Sequence, residues 1–157
     1  MTDEKQRISL SNKRAFRDYE ILEKFEAGIV LAGTEVKSLR QSRANFKDSY
    51  AKVIDGELWV VNFHITPYDH GGYSNHDPLR RRKLLLHKFE LKRMIGKIEE
   101  RGLTVVPLRV YFKGSYAKMQ LGLARGKKEY DKRADIAKRD MNRDAQRELK
   151  NKYRVNI

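Results

Sequence analysis

The stretch SYAKVIDGELWVVNFHI, residues 49–65, decides the fold. Tyr50 to Ile54 and Glu57 to Ile65 are rich in aromatic and β-branched residues, and Asp55-Gly56 stands between them. Asp-Gly suits a two-residue turn whose central residues take positive φ, the geometry that matches the twist of two paired strands. The spacing therefore predicts an antiparallel hairpin turning at Asp55-Gly56.

The same composition recurs on either side. YEILEKFEAGIVL, residues 19–31, alternates loosely and predicts a long strand that bulges or bends at Gly28. LTVVPLRVYF and SYAKMQLGLA flank Lys113-Gly114 as a second hairpin. Pro107 lacks an N–H, so it predicts an edge or a bulge in the first of those strands. Two helices separate the β-runs. Thr34 is expected to cap a short one running to Arg43, with Val36 and Leu39 on one face. From Leu84 the pattern turns helical: Phe89, Leu91, Met94, Ile95 and Ile98 form the apolar face, and Gly102 lies where a terminating glycine belongs. Strands in hairpins with two helices predict a mainly β chain with α elements, a small antiparallel OB-like β-barrel with peripheral helices. The expected division is a flexible leader (1–11), the barrel (12–126) and a basic C-terminal tail (127–157).

Charge narrows the partner. The chain has 157 residues with 35 Lys and Arg against 21 Asp and Glu, a formal charge of +14. Cations at that density gain by displacing the counterions condensed on a polyanion. No apolar run approaches the roughly 20 residues that span a bilayer, and no apolar signal segment follows Met1, so nucleic acid is preferred to membrane. The chain contains no cysteine, which excludes disulfides and thiolate zinc sites and fits a cytoplasmic protein.

The tail differs from the body. Residues 127–157 hold eleven cations and six acids, with no glycine or proline. Arg139, Arg143, Arg147, Lys150 and Arg154 recur at three- and four-residue intervals, which makes one basic ridge on a helix. Ala134, Ala137, Met141, Ala145, Leu149 and Tyr153 form a thin apolar stripe beside it. That stripe buries too little to dock, so the tail is expected to be disordered when free and helical when bound.

Three further segments carry candidate chemistry. Asn12-Lys13-Arg14 reads equally as a phosphate clamp or a solvated leader. Glu35, near a helix N-terminus, suits the helix dipole, and Lys37 and Arg40 are expected on one outer face. Arg80-Arg81-Arg82-Lys83 packs four cations into a loop, which favours a phosphate partner because their self-repulsion needs an anion nearby. His70 and His76, beside Asp69 and Asp77, invite a catalytic reading. No triad, P-loop or cysteine nucleophile supports it, and histidines in a glycine loop are ordinarily exposed polar residues. Tyr50, Trp59, Phe63, Tyr111, Phe112 and Tyr116 fall on strands, as core residues or, where exposed, as platforms for unpaired bases.

In order along the chain, NKRAF (12–16), DYEI (18–21), EAG (26–28), GTEVKSLR (33–40), DSY (48–50), ITP (65–67), HDPLRRRKLLLH (76–87), GLTVVPL (102–108) and ARGKKEYDKR (124–133) resemble the SsrA-binding protein family. The resemblance implies a non-enzymatic adaptor without a cofactor. Its partners would be transfer-messenger RNA, one protein per RNA, small-subunit ribosomal RNA, and elongation factor Tu with GTP through the RNA complex. It further implies that Asn12, Lys13, Arg14, Glu26, Leu85, His87 and Lys118 meet the tRNA-like domain of that RNA. Gly126, Lys127, Lys128, Tyr130, Asp131, Lys132 and Arg133 would contact the decoding centre, and the ridge from Arg139 to Arg154 would lie in the empty mRNA channel. A ribosomal structural protein or an RNA-processing enzyme using the histidine loop are the competing classes.

Overall fold

A computed structural model of the chain describes residues 9–127, 137 and 139–147. The leader before residue 9 and the expected contacts Lys128, Tyr130, Asp131, Lys132, Arg133, Lys150 and Arg154 lie outside the described residues.

Between residues 9 and 126, nine strands and three α-helices follow one another: β1 (Ser9–Ser11), α1 (Lys13–Asp18), β2 (Tyr19–Ile29), α2 (Gly33–Arg40), β3 (Ala44–Asn45), β4 (Tyr50–Ile54), β5 (Glu57–Val61), β6 (His64–Ile65), β7 (Arg82–Leu85), α3 (Lys88–Arg101), β8 (Thr104–Lys113) and β9 (Tyr116–Gly126). Every pairing is antiparallel. The order β8-β4-β5-β7-β2-β9 closes on itself because β9 also pairs with β8, while β1 adds to the outside of β8. The expected small barrel is this ring of six strands, with helices at its periphery.

Local chemistry set both hairpins. Asp55 (φ 51) and Gly56 (φ 75) supply the two positive φ values of the β4–β5 turn, and Gly114 (φ 58) turns β8 into β9. Pro107 does mark a bulge, for the β8–β9 register shifts between Pro107 and Arg109. The bulge in β2 is not at Gly28 as its composition suggests. It falls between Ile21 and Glu23, whereas Gly28 is regularly paired on both sides, with Leu85 of β7 and Lys118 of β9.

The inward positions of the strands fill the ring: Phe25, Ala27, Leu58, Val60, Leu84, Val105, Val110, Met119 and Leu121 are buried, and Met94 of α3 packs against them. Burying a Val, Leu or Met side chain contributes about 1.5–3 kcal/mol each, so this interior holds the ring together. A smaller cluster of Ala15, Val106, Leu108 and Ala124 seats α1 against β8 and β9. Gly122 belongs there by close approach, since a Cβ on it would lie 3.0 Å from Leu108 Cδ1 and 3.2 Å from Ile21.

The helices depart from their expected ends. Thr34 does not cap α2. Ala32 is the N-cap residue, and its N–H donates to the Glu35 carboxylate (2.7 Å). The helix stops at Arg40, short of Arg43, because Ser42 takes φ 58. Of the two cations assigned to its outer face, Lys37 is exposed above Tyr68, but Arg40 turns in over the Phe112 ring (4.3 Å). α3 ends at Gly102 (φ 63), as expected. Its apolar face is Leu91, Met94 and Ile98, while Phe89 is 71% exposed. Leu84 and Leu85 belong to β7 rather than to the helix.

Candidate nucleic-acid interface

Because strand residues alternate in direction, the ring has an outer face whose side chains the core does not claim. Across four strands one outward row reads Leu85, Gly28, Lys118, Tyr111, each the register partner of the next. Glycine in the middle of this row leaves a gap between Leu85 and Lys118. The gap is the floor of a cleft of 510 Å³, lined by Glu26, Gly28, Leu85, His87, Tyr116 and Lys118 among others. Four residues expected to meet RNA, Glu26, Leu85, His87 and Lys118, thus converge on one cleft from three distant segments of the chain.

Their settings suit an RNA surface. Tyr111 Oη donates to Glu26 Oε2, and Lys113 Nζ donates to Oε1 at 3.0 Å. The Tyr111 hydroxyl, and after it the Lys113 ammonium, holds the Glu26 carboxyl below its ordinary pKa despite some desolvation. Partial burial, together with the same carboxylate, pushes the Tyr111 phenol up to about 12, so it remains a donor at neutral pH. Glu26 is therefore a fixed, ionised acceptor, able to take a hydrogen bond from a ribose hydroxyl or a base amino group. Lys118 supplies a cation opposite it. At the rim, Leu85 is 51% exposed, Tyr116 is 73% exposed, and His87 stacks on Phe89 with centroids 5.7 Å apart and planes within 12°. Exposed flat and apolar groups beside a cation are what unpaired bases stack against.

Asn12, Lys13 and Arg14 stand elsewhere, at the other end of β2. Asn12 Nδ2 donates to Pro107 O (2.8 Å) and its Oδ1 accepts from Ala15 N–H (3.3 Å), so it caps α1 and ties that helix to the β8 bulge. This fixes Lys13 and Arg14, both exposed, on the rim of a cavity of 640 Å³ that Arg17, Lys47 and Arg139 also line. The tail leaves from the same region. Gly126 pairs with Tyr19, Lys127 N–H donates to Asp18 O (3.0 Å), and Lys127 Nζ donates to Phe16 O (3.4 Å). Beyond it residues 139–147 are helical and exposed, including Arg139, Arg143 and Arg147 of the basic ridge and Met141 of the apolar stripe.

Two of the four cations in the run turn inward to a buried acid instead of facing a phosphate. Arg82 and Glu35 are both fully buried and paired with each other, and Arg80 pairs with the other oxygen of the same carboxylate. Arg82 also donates to Phe63 O and Pro78 O, so the loop folds onto its guanidinium. Burial would raise the Glu35 pKa, but the hydrogen bonds from Arg80 and Ala32 and the Arg82 charge outweigh it and leave the carboxyl below its usual value. Lys83 pairs with Glu57 (2.9 Å). Self-repulsion within the run is relieved internally, by Glu35 above all.

The histidine loop is structural as well. His76 Nε2 donates to Ile65 O and its Nδ1 accepts from Thr34 Oγ1, each at 2.9 Å, so His76 pins the loop instead of lying exposed. His70 is exposed, edge-on to Tyr68. Among the described residues no group of three or more His, Asp or Glu is placed to hold a metal ion, and no helix is long and apolar enough to cross a membrane. Of the six aromatics expected on strands, Phe63 lies between β5 and β6 and is core, as is Phe112, whereas Tyr50 and Tyr116 are exposed. Sequence reasoning assigned no role to Tyr111 toward Glu26 or to Gly28 as the floor of the cleft. Both follow from the register of strands that are distant in the chain.

Known proteins resemble this chain along most of its length. The SsrA-binding protein of Carboxydothermus hydrogenoformans is 55% identical over 148 residues, covering 94% of this chain and 99% of the relative. That of Syntrophobacter fumaroxidans is 57% identical over 146 residues, covering 93% and 91%. A chain of the solved structure "tmRNA-SmpB: a journey to the center of the bacterial ribosome" superposes with a TM-score of 0.65 at 59% identity, covering 77% of this chain and 85% of that one. Residues 9–151 match the family described as SmpB protein, and the chain therefore belongs to the SmpB family of SsrA-binding proteins.

Proposed function

We propose that this chain binds the tRNA-like domain of transfer-messenger RNA through the Glu26, Leu85, His87 and Lys118 cleft and carries it to stalled ribosomes for trans-translation. The observation that supports this most is the convergence of those four residues on one cleft with a glycine floor. An ionised acceptor, a cation and exposed rings within one groove suit unpaired nucleotides better than a regular duplex, whose deep groove side chains do not reach. Asn12 acts by holding Lys13 and Arg14 toward a phosphate backbone. The role requires no bond to be made or broken by the chain.

The tail takes the second half of the work. Gly126 and Lys127 anchor it to the body at α1, from where Lys128, Tyr130, Asp131, Lys132 and Arg133 would enter the decoding centre. The ridge of Arg139, Arg143, Arg147, Lys150 and Arg154 would then lie along a vacant mRNA channel, whose anionic walls it matches in charge. Delivery takes place in the cytoplasm with elongation factor Tu and GTP, one protein on each RNA.

The test is affinity of the full chain for the isolated tRNA-like domain against bulk ribosomal RNA. Lys118→Glu or Leu85→Asp should weaken the first by about tenfold or more, the cost of removing a charged hydrogen bond or placing a charge on an apolar contact. Equal affinity for both RNAs, or no loss in either variant, overturns the reading.

A further inference from the structure

Residues 81–87 alternate strictly about β7. Arg82 and Leu84 are buried and Leu86 packs on the core, whereas Arg81, Leu85 and His87 are exposed and Lys83 is partly so. Leu85 and His87 line the cleft, so the outward row runs without interruption from the cleft to Lys83 and Arg81. Across the strands Lys83 is the register partner of Trp59, and Trp59 of Lys52. The Arg81 guanidinium lies over the Trp59 ring at 5.1 Å.

We propose that the RNA held in the cleft continues along this row, and that Arg81, Lys83 and Lys52 around Trp59 grip its sugar-phosphate backbone. This rests on the cleft reading given above and extends the contact from Leu85 to Arg81, four residues of chain or roughly 13 Å at 3.3 Å per residue. The charge balance favours an anion here. Three cations share the stripe with one acid, Glu57, which holds Lys83. Among the described residues Arg81 pairs with no acid, unlike Arg80, Arg82 and Lys83. A guanidinium held over an indole face by its charge still has N–H donors to spare, and its fork can take two oxygens of one phosphate. Lipid is the poorer match, because Arg81 overlies the Trp59 ring and, among the described residues, none of Arg81, Lys83, Lys52 and Trp59 is an exposed large apolar side chain.

Trp59 is the only tryptophan in the chain, so its emission reports on the stripe alone. The full chain is titrated with the isolated tRNA-like domain over a series of salt concentrations. Trp59 emission should change on saturation, and Arg81→Ala should make the log–log salt slope shallower by about 0.7–0.9, one phosphate contact. Glu57→Gln should tighten binding by about two- to threefold, since it releases Lys83 from an exposed ion pair. A gain of affinity is a result that misfolding does not produce. Unchanged Trp59 emission together with a wild-type slope in Arg81→Ala overturns the extension. If Lys118→Glu still weakens binding by about tenfold or more in that case, the cleft reading survives; if it does not, the cleft reading fails as well.

Discussion

The Tyr111 hydroxyl on β8 reaches across β9 to donate a hydrogen bond to Glu26 Oε2 on β2. A carboxylate on the proposed RNA surface is thereby held at one orientation, with Lys113 on its other oxygen. Removing the phenol should loosen Glu26 without harming the core. Tyr111→Phe is expected to keep its unfolding midpoint and to bind the tRNA-like domain about two- to tenfold more weakly, the range of one lost hydrogen bond. Binding isotherms beside a denaturant melt separate the two effects.

The pH dependence of that site has a definite sign. The Glu26 pKa is depressed, so its ionised form is fully populated above the ordinary carboxylate value near 4.3 and is lost only as pH falls through the lower folded value. Affinity for RNA should be insensitive to Glu26 titration from neutral pH down to about 5. In Tyr111→Phe the acid limb should begin at higher pH. Affinity measured from pH 4 to 8 checks the displacement.

Gly28 separates occupancy of the cleft from stability of the fold. A Cβ there would meet Leu85 at 3.6 Å and Lys118 Nζ at 4.0 Å, ordinary contact distances, and its φ is not positive. Gly28→Ala should fold normally. Gly28→Leu should fill the groove between Leu85 and Lys118, and its RNA affinity should fall while its circular dichroism is unchanged.

Glu35 makes the opposite prediction. Glu35→Gln leaves Arg82 buried with its charge uncompensated, and breaking a buried pair by removing one partner costs about 3–5 kcal/mol. Because the Glu35 pKa is lowered in the folded chain, its contribution is present above the unfolded value and disappears as pH falls through the folded one. Urea unfolding of wild type and Glu35→Gln at neutral and acid pH should show the gap closing in acid.

The tail is tested by a cut placed after Lys127. The Lys127 main chain closes the last ladder at Asp18, so a cut after Arg125 would remove the Gly126–Tyr19 pairing as well. Deletion of 128–157 should preserve affinity for the tRNA-like domain and abolish tagging on stalled ribosomes. Loss of both would show that body and tail do not divide the work.

What was legible in the sequence was local. Asp55-Gly56, Gly102 and Pro107 each dictate a backbone geometry at their own position, and each hairpin, helix end and bulge they predict is present. Glu35 does stand in the first turn of α2, but its burial leaves no local sign, because its arginine partners lie 45 and 47 residues away. The inward turn of Arg80 and Arg82 is hidden for a related reason. In Arg80-Arg81-Arg82-Lys83-Leu84-Leu85-Leu86 polarity is uniform within each half, so the in-and-out alternation of a strand leaves no trace in hydrophobicity. The cleft residues could be named by family resemblance, but the glycine that makes room between them and the tyrosine that fixes Glu26 required the register.

The alternation of β7 also sets a reading frame. Deleting or inserting one residue between Pro78 and His87 would turn Arg81 toward Glu35 and send Arg82 to the surface, with Leu84 and Leu85 exchanging places. Such a change in length would disable the core and the binding face in one step, even with the composition unaltered. Substitution can adjust this segment one face at a time; its length is held by both faces together.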